Sequence, residues 1–247
     1  MKEITRTKFL LPKKGFFCSG CLHATAAKLM GECLEELGVL DRSLLVIGVG
    51  CHSLVASTCD VDVLDAPHGR ASACATALKR CQPDSIVFTY QGDGDAAAIG
   101  LSETIYAASR GAKITVIFAN NGTYGMTGGQ LAPTTLIGQT SSTTPGGRVA
   151  ETDGYPLDMC AMLNTLKAPS YIARCTLNSP KSIMKAKACI KKAFQNQIDG
   201  KPFSFVELVT TCPSNLHMDP VESLKYIEDE RLPVFPLGVF RDEEMVK

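Results

Sequence analysis

"TYQGDGDAAAIG", Thr89 to Gly100, is the stretch from which the fold can be read. It continues an apolar, strand-like run, Ser85-Ile86-Val87-Phe88-Thr89-Tyr90, and leaves it through Gly92-Asp93-Gly94 with a second acid, Asp95, directly behind. A tight turn explains one glycine, but not two glycines around an acid at the mouth of an apolar element. Outward from this point, strand-like and helix-like segments alternate. Toward the N-terminus the pattern predicts a helix over 71–80, strands over 61–64 and 44–49, and a helix over 22–37 closed by Gly38. Toward the C-terminus it predicts a helix over 96–110, a strand over 114–119, a helix over 156–166 and a strand over 171–176. A helix over 179–197 follows, with Ser179 as N-cap and Pro180 at its first position, and then a strand over 203–210. This alternation predicts an α/β fold, a mainly parallel sheet with helices on both faces.

Two segments stand outside the alternation. Residues 122–148 are polar and rich in Gly and Thr, and a loop of that length in a compact domain is functional or disordered. Beyond Asp219 the proline-bearing tail reads as an extended arm, 219–247, packing on a partner, which leaves 1–218 as one domain.

The bulk numbers set limits. With 45% hydrophobic residues in 247, a sizeable core is available. Lys+Arg and Asp+Glu balance at 25 each, so no strong field favours nucleic acid or an anionic membrane. "MKEITRTKFLLPKKGFF" has no apolar run ending in a small-residue cleavage site, and no stretch approaches the ~20 apolar residues of a membrane span. The expected location is cytoplasmic. There the eleven cysteines stay reduced, as small core residues or as metal ligands.

The chemistry follows from the sheet. Parallel sheets bind ligands at the carboxyl ends of their strands. Asp93 stands at one such end, and the next strand ends in Asn120-Asn121-Gly122-Thr123. A right-handed crossover places both ends on one edge, so a carboxylate and an amide oxygen converge. Both are hard ligands suited to Mg²⁺ with phosphate oxygens completing its shell. Gly92 and Gly94 let the backbone approach a diphosphate, and helix 96–110 aims its positive end at the anion. GDG followed about thirty residues on by NN resembles the thiamine diphosphate motif. The resemblance implies Mg²⁺ held by Asp93, Asn121 and the Thr123 carbonyl, with Gly94 and Asp95 beside the cofactor. Asp95 reads equally as a helix N-cap.

The cysteines narrow the family. Cys18-Ser19-Gly20-Cys21 fits a redox dithiol, a zinc half-site or an iron–sulfur half-site. Cys51 follows strand 44–49 in "GVGCHS", and Cys212 follows strand 203–210 in "VTTCPS". Four thiolates can enclose a 4Fe–4S cluster, with tetrahedral zinc as the alternative. CSGC, GVGCHS, PHGRA, QGDGD, NNGTYGMTGGQ, APTT and TCPS together resemble the thiamine diphosphate-binding β subunit of 2-oxoacid:ferredoxin oxidoreductases, over residues 12–215. The common CPGCGH form of the first motif is CSGCLH here, departing at Ser19 and Leu22 but keeping the thiol spacing.

That resemblance implies a 4Fe–4S cluster on Cys18, Cys21, Cys51 and Cys212. It implies that Val49, Gly50, Cys51, His52, His68 and Gly69 line the diphosphate region, and that Tyr124, Gly125, Met126 and Thr127 cover the metal and the thiamine. His68 also reads as a hydrogen-bonded loop histidine and Met126 as a core residue; Arg70 reads as capping a helix or pairing with an acid. Cysteines 33, 59, 74, 81, 160, 175 and 189 are assigned to packing. The implied reaction is coenzyme A-dependent oxidative decarboxylation of a 2-oxo acid, with electrons passing through the cluster to ferredoxin. The loop from Met126 to Arg148 is similar to that of the enzymes for branched-chain acids, so 2-oxoisovalerate is favoured over 2-oxoglutarate or pyruvate. The glutamate that helps form the thiamine carbanion is expected on a partner α subunit carrying the pyrimidine-binding domain. Glu103, two turns into helix 96–110, is a poor candidate for it. Further γ and ferredoxin-like δ subunits, or fused equivalents, complete the implied assembly. A redox-neutral thiamine enzyme and a zinc-stapled phosphate-binding module are the competing readings.

Overall fold

The computed structural model describes residues 6–243. Seven strands form one sheet in the order β2-β1-β3-β4-β6-β5-β7. They are β1 (Ser43–Ile47), β2 (Asp62–Asp65), β3 (Ile86–Gly92), β4 (Thr115–Asn120), β5 (Tyr171–Thr176), β6 (Ser204–Val209) and β7 (Gly238–Asp242). All neighbours run parallel except β7, which lies antiparallel to β5. β3, β4, β5 and β6 are buried on both faces, which is why they read as continuous apolar runs.

Residues alternate between two layers. Leu45, Ile47, Phe88, Tyr90 and Ile117 pack against α1 (His23–Glu36) on one face. Val46, Val87, Val116 and Phe118 pack on the other face against α2 (Ala71–Cys81) and the short α3 (Asp93–Ala97). α4 (Leu101–Ser109) joins this second layer. After a single turn, α5 (Ala150–Asp153), α6 (Met159–Asn164) extends the second layer and α7 (Pro180–Ile198) the first. Ser179 caps α7 through its side chain and Pro180 opens it.

Three expectations change. The helix expected over 96–110 is two helices. The chain turns helical at Asp93 itself, then breaks at 98–100, where Gly100 packs directly on the Gly69 backbone, and resumes as α4. No extended arm is present among the described residues. Past α8 (Pro213–Leu216), α9 (Pro220–Tyr226) begins with a capping box on Asp219, a π-turn runs over Ile227–Arg231, and β7 completes the sheet. Residues 1–5 and 244–247 of the two expected units lie outside the described residues. The third change concerns Cys81, which is exposed because it ends α2 behind Lys79 and Arg80. Cys33, Cys59, Cys160 and Cys175 are buried, and Cys74 and Cys189 partly so.

The C-terminal segment is locked by buried charge. Arg174 on β5 donates from Nε to Glu207 on β6 at 2.8 Å and pairs with Asp158. Its guanidinium lies between the rings of Phe235 and Phe240, 5.3 and 5.0 Å from their centres. The segment 122–148 holds no strand or helix, yet it is tied down by many loop hydrogen bonds, with one side chain joining it to the turn at 153–155. Arg148, 5% exposed, donates to the carbonyls of Ala132, Pro133, Thr135, Asp153, Gly154 and Tyr155.

Candidate active site

From β1 the chain goes to β2 on one side of the sheet, and from β2 it crosses to β3 on the other side of β1. The carboxyl ends of β1 and β3 therefore flank a crevice, the place where open α/β sheets take ligands. A cavity of about 300 Å³ opens there. Its lining brings together Val49, Gly50, Cys51, His52, His68, Gly92, Asp93, Gly94, Asp95, Asn121, Thr123, Tyr124, Gly125, Met126 and Thr127. Of the residues expected around the diphosphate and the thiamine, Gly69 alone is not on its wall; it donates its N–H to Asp95 at 2.6 Å just behind.

Asp93 and Asn121 converge as the strand register requires. Gly92 pairs with Ala119, so the residues after β3 and β4 emerge side by side. Thr123 N–H is shared between Asp93 Oδ2 and Asn121 Oδ1, at 3.1 Å to each. Two side-chain oxygens that share one donor are close enough to face one small cation. The turn that allows this has Gly122 at φ +74°, a conformation that suits glycine. Asp93 is 3% exposed, and burial pushes its carboxyl up to about 6 against the pull of the Arg231 guanidinium and the Gly94 N–H. A carboxylate in that state gains from a bound cation.

Asp95 has a different task from the N-cap considered for it. It lies inside α3 and no cap bond is formed. Its Oδ1 accepts from Gly69 N–H, from His68 Nδ1 at 2.9 Å and from Val49 N–H at 3.4 Å, and its Oδ2 accepts from Gln91 Nε2 at 2.8 Å. One buried carboxylate thus ties together the loops after β1, β2 and β3. His68 is hydrogen-bonded, as its loop reading also allowed. Met126 is exposed at the cavity mouth and is not a core residue. Arg70 pairs with Glu103, which accounts for both outside the site.

Sequence reasoning missed His23 and Ile99 on the cavity wall. Ile99 sits in the break between α3 and α4. His23 opens α1 and its Nδ1 meets the Tyr90 hydroxyl at 2.5 Å, while the edge of Tyr90 meets His52. Burial pushes His23 down to about 3 and His52 down to about 4, so both are neutral. His52 Nε2 is buried without a partner, 3.7 Å from Asp95.

The four motif cysteines gather beside this cavity. A methyl group on Gly125 would stand 3.3 Å from Cys51 Sγ and 3.4 Å from Cys212 Sγ, so both thiols flank one backbone position. Burial pushes the Cys21 thiol up to about 12, with further upward pressure from Cys212, Cys51 and Cys18. Cys51 is pushed up to about 11 by burial and then by Cys212 and Cys18. Cys21 and Cys51 thus each feel the charge of Cys18 and of Cys212. Yet among the described residues no three His, Cys, Asp or Glu side chains close on a single ion.

Residues 48–208 match the family described as thiamine pyrophosphate enzyme, C-terminal TPP binding domain. The chain is 46% identical to the ketoisovalerate oxidoreductase subunit VorA of Methanothermobacter marburgensis, over 94% of this chain and 48% of that protein. It is 34% identical to the 2-oxoglutarate synthase subunit KorB of Methanocaldococcus jannaschii, over 93% of this chain and 83% of that protein. The chain thus spans about half the length of VorA and most of the length of KorB. Its fold is similar to that of a 2-oxoglutarate:ferredoxin oxidoreductase from Magnetococcus marinus, solved with 2-oxoglutarate, coenzyme A and succinyl-CoA bound. That match has a TM-score of 0.79 at 23% identity, over 98% of this chain and 86% of that one.

Proposed function

Because the chain belongs to the thiamine pyrophosphate enzymes, in the branch of the 2-oxoacid oxidoreductase subunits, we propose that it is the β subunit of a 2-oxoacid:ferredoxin oxidoreductase. The observation that carries this reading is one cavity, at the reversal point of the sheet, onto which the Gly92-Asp93-Gly94 and Asn121-Gly122-Thr123 ends both open. Asp93, Asn121 and the Thr123 carbonyl would hold Mg²⁺, and the bare backbone at Gly50, Gly92 and Gly94 would receive the diphosphate. Thiamine diphosphate, when bound, supplies the electron sink for loss of CO₂ from a 2-oxo acid. The protein's part is placement. Asp95 fixes the three loops around the cofactor, and neutral His52 presents a polar edge without adding charge.

Cys18, Cys21, Cys51 and Cys212 would hold a 4Fe–4S cluster, which takes four cysteines. A cluster there would adjoin the cofactor through Gly125 and give electrons an exit toward ferredoxin. A redox-neutral thiamine enzyme would not need four thiols at this edge, and a zinc-stapled module gives no reason for a cofactor site beside them. The test is iron content of the anaerobically purified complex. Cys212→Ala should remove about one cluster's worth of iron; unchanged iron overturns the assignment.

The substrate we favour is 2-oxoisovalerate, supported by the higher identity to a ketoisovalerate oxidoreductase subunit than to a 2-oxoglutarate synthase subunit. Coenzyme A would take the acyl group. A panel of 2-oxo acids assayed with a viologen acceptor decides it, and a higher kcat/KM for 2-oxoglutarate reverses the choice. The carbanion-forming glutamate would come from a pyrimidine-binding domain on an α subunit, with γ and ferredoxin-like δ subunits or fused equivalents beside it. The partner contact expected for residues 219–247 would fall on their outer side, where Val221 and Val234 are exposed. No helix among the described residues is long and apolar enough to cross a membrane; a cytoplasmic location is part of the same proposal.

A further inference from the structure

Arg231 comes from the C-terminal segment, far in sequence from the cavity, yet it ends directly behind the turn that carries Asn121 and Thr123. It is fully buried. Its NH2 donates to the Asn120 side-chain oxygen at 2.6 Å and to the Asn120 carbonyl at 3.3 Å. Its NH1 occupies the space where a side chain on residue 122 would begin, so guanidinium and turn are in contact. Nε and NH1 have no hydrogen-bond partner, and the Phe235 ring 5.5 Å from the guanidinium compensates only in part, an expensive arrangement for a buried cation that only completes a fold. Asn120 in turn donates its amide to Glu207 at 2.7 Å, so its orientation is fixed from both sides. The chain Arg174–Glu207–Asn120–Arg231 therefore runs under the sheet end and stops at Gly122. Thr135 Oγ1 and Gln139 Nε2 bond the Gly122 carbonyl at 2.8 and 3.2 Å, holding the turn from its other side.

We infer that Arg231 is a positioning residue for the cofactor's metal, which clamps the Asn120–Gly122 backbone from behind so that Asn121 and Thr123 stay aimed at Asp93. It touches neither metal nor cofactor. It holds the turn through Asn120 and the Gly122 backbone, beside the direct pull of its charge on Asp93. Because it is delivered by the segment between α9 and β7, cofactor loading and docking of that segment are coupled: each favours the other. The inference rests on the proposed Mg²⁺–thiamine diphosphate reading of the cavity.

The test uses the complex as purified with its partner subunits. Thiamine diphosphate retained after gel filtration is measured as a function of Mg²⁺ for the parent, Arg231→Lys, Arg231→Gln and Asp93→Asn. Residues that orient metal ligands from behind typically change affinity about ten- to a hundredfold. Arg231→Gln, which loses both charge and fork, should raise the half-saturating Mg²⁺ about tenfold, and Arg231→Lys by less. Iron content should stay at the parental level in both. A parental Mg²⁺ dependence in Arg231→Gln overturns the inference. If Asp93→Asn also behaves as the parent, the metal reading itself has failed; if Asp93→Asn loses the cofactor while Arg231→Gln does not, only the role of Arg231 has. Hydrogen exchange on the parental complex needs no variant to fold. Adding Mg²⁺ and thiamine diphosphate should slow exchange at 227–235 together with 120–124, and protection confined to 120–124 overturns the coupling.

Discussion

Asp93 is held where water barely reaches it, and its carboxyl is pushed up to about 6. In the metal-free protein it is a cost above that pH. Asp93→Asn keeps a hydrogen-bonding side chain beside Thr123 N–H and removes the charge. The expected outcome is loss of Mg²⁺-dependent cofactor retention with a melting temperature at pH 8 no lower than the parent's, read by cofactor content and calorimetry. The histidines act in the opposite direction. His23 and His52 stay neutral in the fold to about 3 and about 4, while unfolded histidines protonate near 6.5. As pH falls from 6.5 toward 4, the unfolded chain takes up two protons that the fold refuses, and the fold takes up one at Asp93. The metal-free protein should therefore lose stability across that window, by ~1.4 kcal/mol per pH unit for one net proton. His23→Asn should flatten the slope; an unchanged slope in denaturant melts from pH 6.5 to 4 removes His23 from the account.

Among the elements, what could be read from sequence was what is locally encoded. Strand 171–176 and the Ser179-Pro180 start of α7 are set by neighbouring residues, and they fall as expected. The Asp93–Asn121 pairing was legible because one crossover fixes it. The break at 98–100 was not, because it is imposed by Gly69, which reaches Gly100 only in the folded chain. Arg231 was invisible for the same reason: in "IEDERL" it reads as one charge of a solvated run, and only the packing of the tail buries it. His23 was given no role, because only the fold brings it against Tyr90 at the cavity wall. Segment 122–148 read as functional or disordered, and its order was not legible because it comes from contacts that only the fold makes, among them Arg148 reaching six carbonyls at once. Arg148→Met leaves those carbonyls without their donor and should cost about 3 kcal/mol. Amide exchange in 130–155 should rise well before global unfolding, and parental protection there would show that Arg148 is dispensable.

For the whole molecule, the open cavity beside β1 and β3 is one half of a working site in the reading proposed here. Among its lining residues the acids are Asp93 and Asp95, both already engaged, and Glu103 is held by Arg70. The isolated chain, reconstituted with thiamine diphosphate, Mg²⁺, iron and sulfide, should therefore show no viologen reduction with a 2-oxo acid. Turnover at the rate of the co-purified complex would place the carbanion-forming acid on this chain.

The placement of β7 has a consequence for solubility. Its pairing with β5 covers the flank of a strand, "YIARCT", that is buried along its whole length. The sheet's other border, β2, is short, largely exposed, and bracketed by Asp62 and Asp65, charges that discourage a second molecule from pairing there. β5 has no exposed charge of that kind, since its one charged side chain, Arg174, is spent on Glu207 and Asp158. Removing 238–247 would present its unpaired N–H and C=O groups as a template for intermolecular strand addition. The shortened chain should keep its helices by circular dichroism yet scatter light on concentration, with a growing share in the pellet. A monodisperse truncated chain would show that β5 needs no cover.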